Sequence, residues 1–293
     1  MKPPPFGYSR PESVSEAVET LASAGEEAKV LAGGQSLIPL LNMRLAVPSH
    51  LVDINRLRDL SYVSIADGQV VIGALARHAD VLADRAVATA QPLITRALEL
   101  VAHPVIRNRG TTVGSIVHAD PAGEMTAVLA LLGGSVRLAG TSGERSVNAD
   151  DFFTGPLESD VRPDELAIEV ELPALPPRSG SAFAEVSRRS GDYALCGVAA
   201  LVRLDADGRI GHARAAYLAV AGTPLVIDLT DACAGEKPGQ ESFAEAGRVA
   251  QERVRPYSDI HATAGYRRHL AGVLTRRALA RAVTQARGRA DGS

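Results

Sequence analysis

No feature of this 293-residue chain limits its folding more than Pro173-Ala-Leu-Pro-Pro-Arg-Ser-Gly-Ser181. Prolines 173, 176 and 177 lack the amide that a helix interior or a central strand needs, and Ser-Gly-Ser favours a turn. The stretch reads as a linker, and the pattern differs on its two sides. Downstream, residues 182–189, 195–204 and 209–220 are long apolar runs, with Asp205-Ala-Asp-Gly208 as a turn. They predict an antiparallel sheet. Helices are expected near 241–254 and 263–286, the second with Tyr266, Leu270, Val273, Leu274 and Ala278 on one face.

Upstream, the elements are shorter and mixed. Ser13-Val-Ser-Glu16 has the spacing of a capping box, followed by the apolar stripe Val14, Ala17, Val18 and Leu21 and stopped by Gly25. Residues 29–32 and 51–54 predict short strands, and residues 37–45 are helical or irregular. Residues 62–65 and 70–73 flank the hairpin turn Ala66-Asp-Gly-Gln69. Pro92 opens a helix to about Ala102, and Asp120-Pro121 caps a helix through Leu132. Residues 136–139 and 166–172 are strands. Strands and helices follow one another without strict βαβ alternation, so the expected class is α+β and not a doubly wound sheet. The expected division is residues 1–175 as one region, with lobes of about 1–56 and 57–175, then a C-terminal unit 176–293.

The composition excludes several roles. A net charge of −3 gives no general attraction to nucleic acid or to an anionic membrane. With 46% apolar and 22% charged residues, the chain fits an ordinary soluble protein with a sizeable core. Cys196 and Cys233 are its only cysteines, too few for a disulfide framework or for four thiolate ligands to an iron–sulfur cluster. No apolar run is long enough to span a bilayer, and MKPPPFGYSR has no signal-peptide core, so a cytoplasmic location is expected.

Two glycine-bearing breaks offer chemistry. In Ala32, Gly33, Gly34, Gln35 and Ser36, two glycines at a strand end permit unusual backbone angles and leave no Cβ in the way. Successive N–H groups can then point into one concavity suited to anionic oxygens, with Gln35 and Ser36 as further donors. A tight turn would explain the same residues. The stretch is neither a P-loop nor the dinucleotide fingerprint G-x-G-x-x-G. Gly110, Thr111, Thr112, Val113, Gly114 and Ser115 form a second such loop, with amides and hydroxyls just before a helix. Two loops of this kind suit the two phosphates of a pyrophosphate without a fixed cation. A plain surface loop is the competing reading. Asp120 and Glu124 follow; their carboxylates suit sugar hydroxyls, although Asp120 also suits a helix cap.

Taken together, "LAGGQSLIPLLNMRLAVPSHLVDINRL", "RNRGTTVGSIVHADPAGE", "ELAIEVELP" and "RRSGDYALCGVAALVRL" resemble the FAD-binding medium subunit of molybdenum hydroxylases. This is the family of the carbon monoxide dehydrogenase medium subunit and the xanthine dehydrogenase flavin domain. The resemblance covers nearly the whole chain, including "YRRHLAGVLTRRAL". It implies a two-lobed FAD-binding region of PCMH type, with residues 32–36 and 111–115 on the FAD pyrophosphate and Leu37 nearby. Glu124 and Asp120 would approach sugar or ribityl hydroxyls. Leu166 or Ala167 would offer main-chain groups to the flavin pyrimidine edge, and Tyr193 would lie near the isoalloxazine.

The resemblance further implies partners: a large molybdenum–pterin subunit and a small subunit with two [2Fe–2S] clusters, in a dimer of heterotrimers. Electrons would pass from the clusters to FAD and on to oxygen, a quinone, NAD or a carrier. One departure stands out. Where the family often has Thr-Ile-Gly-Gly-Ser, Val113 takes the first glycine position, and a β-branched residue disfavours positive φ.

Other residues read as structural. His103 and His118 lack the spacing of metal ligands. Arg107, Arg109, Arg188 and Arg189 suit solvated or salt-bridged roles. Asp53 follows a strand as a ribose-binding acid would, but without the glycine fingerprint. Cys196 suits a core. The rival functions are a stand-alone FAD reductase of related fold using NAD(P)H, such as a UDP-N-acetylenolpyruvoylglucosamine reductase, and a scaffold that has lost its cofactor.

Overall fold

A computed structural model describes residues 2–233 and 237–290. The first lobe alternates strand and helix: Gly7–Ser9, helix Val14–Ala24, Ala28–Leu31, helix Leu37–Met43, His50–Asp53. Both outer strands pair in parallel with His50–Asp53, so a short βαβαβ unit sits inside a chain that is α+β as a whole. The expected helix start holds: the Ser13 side chain accepts from the Glu16 amide, and Ala17, Val18 and Leu21 are buried. The Glu16 carboxylate reaches the amide of Glu12 instead of that of Ser13, so the capping box is not reciprocal.

The second lobe is an antiparallel sheet of five strands, in the spatial order Val63–Ala66, Gln69–Gly73, Leu166–Pro173, Ser135–Gly140, Gly143–Asn148. Its middle strand comes from the far end of the lobe, so Leu166–Pro173 closes the sheet only after the intervening helices are laid down. Among those helices are Pro92–Leu100, Thr112–His118 and Glu124–Leu132. In the last, every residue from Met125 to Leu131 is buried, as expected for a helix apolar on all sides.

The linker is shorter than its composition suggests. Pro173 ends one strand, and only five residues separate it from the next, Ser179–Ser187. This strand pairs with Ala194–Leu204, which pairs with Ile210–Leu218 and then with Leu225–Asp228. The sheet is covered on both faces. Phe183, Ala199 and Ala216 join the core of the second lobe. Ala182, Ala184, Val198, Ala200 and Ala215 pack with helices Gln240–Arg253 and Ala264–Ala290. Alternating side chains therefore both meet apolar neighbours, which is why these strands read as continuous hydrophobic runs. Gly180 lets the long helix settle on the sheet, since a Cβ there would collide with the Ala282 carbonyl. No described helix is long and apolar enough to cross a membrane.

Candidate cofactor site

The two glycine-bearing segments, remote in sequence, touch. A Cβ on Gly33 would lie 2.5 Å from the Arg109 carbonyl oxygen, 2.7 Å from Gly110 Cα and 3.0 Å from the Thr111 amide. Gly34 does different work: its φ of +72° is the left-handed turn that leads from the strand into helix Leu37–Met43. Among the described residues, the amides of Gly33, Gly34, Gln35 and Ser36 donate to no backbone carbonyl. The Ser36 hydroxyl makes no capping bond, and Gln35 Nε2 turns back to Gly33 O at 3.1 Å. Residues 32–37 are all half-buried. The turn thus presents unclaimed donors at a surface open enough for a ligand.

The second segment is not a loop. Thr111 caps helix Thr112–His118, with its hydroxyl accepting from the Gly114 amide at 3.2 Å. The Thr112 amide donates to Ala76 O at 3.3 Å and the Ser115 amide to Thr111 O at 3.0 Å. A helix start leaves its first amides without intrahelical partners, which here leaves the amide of Val113. The expectation that the threonine hydroxyls face a ligand is corrected: Thr111 is 3% and Thr112 0% exposed, and Thr112 Oγ1 meets His78 Nδ1 at 3.1 Å. Burial pushes His78 down to about 4, helped by the Arg107 charge, so the imidazole beneath this turn is neutral. Gly114 and Ser115 remain half-buried at the surface. Val113 causes no conflict. It lies in a right-handed helix, with its side chain 2% exposed in the core, so the feared positive φ is not required.

Two residues missed in the sequence tie these segments together. Asn55 Nδ2 donates to Ala32 O at 2.9 Å, and Asn55 Oδ1 accepts from Arg77 Nη2 at 2.7 Å. Arg77 Nη1 donates to Arg109 O at 2.8 Å. Asp53 is part of this network. Its carboxylate accepts from Tyr8 Oη at 2.5 Å and from Asn55 Nδ2 at 2.6 Å. Against burial, those bonds and the Arg10 charge hold Asp53 below its usual range.

A carboxyl cluster stands at the end of the buried helix. Glu124 is its first residue, behind the cap Gly123. Asp120 therefore does not cap that helix as expected. Its Oδ1 accepts from Ala122 at 2.8 Å in a separate turn, because Pro121 and Ala122 stay outside the helix. Burial pushes Glu124 up to about 7, with Asp120 adding to the rise. Glu185, another residue missed in the sequence, is pushed up to about 8 by burial and by Glu124, and its Oε2 is buried without a partner among the described residues. Crowding around the phenol, then the charges of Asp120 and Glu124, push Tyr193 up as well. Tyr193 itself is 69% exposed. Its loop folds over His103, whose ring fills the space where Gly191 has no Cβ, and Gly191 has φ +82°.

Leu166 and Ala167 are buried in the middle strand, paired on one side with Ala139 and Leu138. On the other side pairing with Gln69–Gly73 begins only at Glu169, beyond a bulge. One main-chain edge of Leu166 and Ala167 is thus free of strand partners. Arg107 is spent on the carbonyls of Val101 and Ala102, and Cys196 and Cys233 are buried free thiols. Among the described residues no group of three or more His, Cys, Asp or Glu side chains is arranged to hold a metal ion.

The fold and this site define a class, and comparison with known proteins agrees. Residues 4–175 match the family of the FAD binding domain in molybdopterin dehydrogenase, and residues 181–282 match the CO dehydrogenase flavoprotein C-terminal domain. The chain belongs to this flavoprotein family of oxidoreductases, whose cofactor is FAD. It is 39% identical to the 6-hydroxypseudooxynicotine dehydrogenase complex subunit alpha of Paenarthrobacter nicotinovorans, over 98% of this chain and 97% of that one. Among solved structures, it matches a chain of the Hydrogenophaga pseudoflava carbon monoxide dehydrogenase lacking the Mo-pyranopterin moiety, with TM-score 0.92 and 35% identity over 97% and 99% of the two chains. It also matches quinoline 2-oxidoreductase from Pseudomonas putida 86, with TM-score 0.91 and 37% identity over 98% and 99%.

Proposed function

We propose that this chain is the FAD-carrying electron-transfer subunit of a molybdenum hydroxylase complex. In this reading FAD stretches between the lobes 1–56 and 57–175, against the unit 176–293. A large subunit would hold the molybdenum–pterin centre and a small one two [2Fe–2S] clusters, in a dimer of heterotrimers in the cytoplasm. The bound flavin supplies the step between the one-electron clusters and an external acceptor.

The contact between Gly33 and residues 109–111 carries the proposal, because it brings unclaimed amides from two segments to one place. The amides of Gly33, Gly34, Gln35 and Ser36, with that of Val113, would bind the pyrophosphate. Ala32, Leu37, Thr111, Thr112, Gly114 and Ser115 would shape the same cradle. Glu124, pushed up to about 7 and so shared between its acid and carboxylate forms near neutral pH, can donate to or accept from a ribityl or ribose hydroxyl, with Asp120 beside it. The free edge of Leu166 and Ala167 offers amide and carbonyl groups to the pyrimidine ring. Tyr193 would cover the isoalloxazine face and restrict solvent. No side chain here needs to act as a nucleophile.

The test is to purify the chain with its native partners, then measure flavin, molybdenum and iron per chain. A flavin-containing complex with both other cofactors is expected. A chain that comes alone and reduces FAD directly with NADPH would establish the rival reductase instead.

A further inference from the structure

We propose that Asn55 and Arg77 are positioning residues of the flavin cradle, and that the hydrogen bond between them sets the spacing and orientation of its two halves. The proposal rests on the reading of this cradle as an FAD site.

The halves belong to different parts of the fold. Residues 32–36 leave the parallel sheet of the first lobe, whereas residues 109–115 lie among the helices of the second. A continuous relay joins them: Ala32 O to Asn55, Asn55 to Arg77, and Arg77 to Arg109 O, with no link longer than 2.9 Å. The orientation of the Asn55 amide is determined by chemistry. The Asp53 carboxylate below it only accepts and the Arg77 guanidinium beside it only donates, so Nδ2 faces Asp53 and Oδ1 faces Arg77. The Asn55 backbone amide also donates to Asp53, at 2.9 Å.

Holding these carbonyls has a consequence for a bound anion. In a trans peptide the N–H points opposite to the C=O. By gripping Ala32 O, Asn55 turns the Gly33 N–H away from itself and fixes its direction. By gripping Arg109 O, Arg77 fixes the backbone against which Gly33 rests. Two carbonyl oxygens that would repel a diphosphate are bound internally. Both Arg77 terminal nitrogens are used in this way, so the residue acts through its fork and not as a point charge on the ligand.

That distinction is testable. The chain, co-purified with its native partners and stripped of flavin, is titrated with FAD and followed by flavin fluorescence. Arg77→Met, Arg77→Lys and Asn55→Leu are each expected to raise the FAD Kd about tenfold or more, the size of a lost charge-assisted hydrogen bond. The flavin-free melting temperatures should stay close to wild type. The double variant Asn55→Leu/Arg77→Met should be no worse than the poorer single one, because both break one relay. Wild-type affinity in Arg77→Lys would overturn the proposal, since lysine keeps the charge and loses the fork. Additive losses would overturn it too, as would variants that cannot be obtained folded, because the network would then serve the fold and not the cradle. Failure of the underlying reading looks different: the wild-type complex itself would take up no FAD.

Discussion

Gly33 and Arg109 stand so close that a single added carbon on the first would lie 2.5 Å from the carbonyl oxygen of the second. The glycine is required by its protein neighbour, and the room it makes is for backbone and not directly for a ligand. Gly33→Ala is therefore expected to push residues 32–36 and 109–111 apart. The cost should be about 1–3 kcal/mol of stability, as for other overpacked sites. FAD content, read from the ratio of visible to ultraviolet absorbance, should fall. Full occupancy in this variant would show that the contact is irrelevant to binding.

Tyr193 should guard the flavin more than it holds it. An aromatic contact of this kind is worth about 0.5–1.5 kcal/mol, so Tyr193→Ala should raise the FAD Kd by no more than about tenfold. Quenching of flavin fluorescence by iodide should increase clearly. If quenching is unchanged, Tyr193 does not shield the ring.

Gly191→Ala should disturb the same loop indirectly. The substitution meets two obstacles, a left-handed backbone at φ +82° and the His103 ring. A loss of about 1–3 kcal/mol in thermal or denaturant unfolding is expected, with increased iodide quenching if Tyr193 moves with the loop.

Glu185 makes stability depend on pH in a stated direction. Its carboxyl is held up to about 8, against 4.5 when unperturbed. Between those values the folded chain keeps a proton that the unfolded chain releases, so stability falls as pH rises through the window. Glu185→Gln should flatten that decline in the flavin-free chain, giving on the order of a few kcal/mol more stability than wild type at pH 8 and little difference at pH 4.5. Parallel melting curves across this range would remove Glu185 from the account.

Gly180 tests the joint between sheet and terminal helix. Gly180→Val places a branched side chain against the Ala282 carbonyl, and the helix must lift from the strand. A loss of about 3 kcal/mol or more is expected, because backbone cannot yield as a side chain does. Proteolysis should then release the C-terminal helix first.

Much of this protein is written in local pattern. Ser13 and the stripe behind it specify a helix, Ala66-Asp-Gly-Gln69 a hairpin, and the continuous apolar run within Ala194–Leu204 a strand. Four motifs in order were enough to place the chain in its family. Errors arose where local chemistry was ambiguous. Asp120-Pro121 has the form of a helix cap, yet the helix begins at Glu124. The Thr-Thr-Val-Gly-Ser segment resembles a loop because glycine and hydroxyls break its apolar rhythm, yet it is a helical turn capped by its own Thr111.

What only tertiary structure decided are the relations between distant segments. Residues 33 and 109 come into contact through the packing of two lobes, and no periodicity within either segment encodes that approach. Asn55, Arg77 and Glu185 left no signal, since an asparagine after a strand, an arginine before a helix and a glutamate in a strand are all commonplace alone. Their roles come from partners tens of residues away: a carbonyl that needs a donor, a guanidinium that needs two acceptors, a carboxyl deprived of water. Sequence determines which backbone shapes each segment prefers, whereas hydrogen-bond satisfaction and desolvation depend on the whole folded chain.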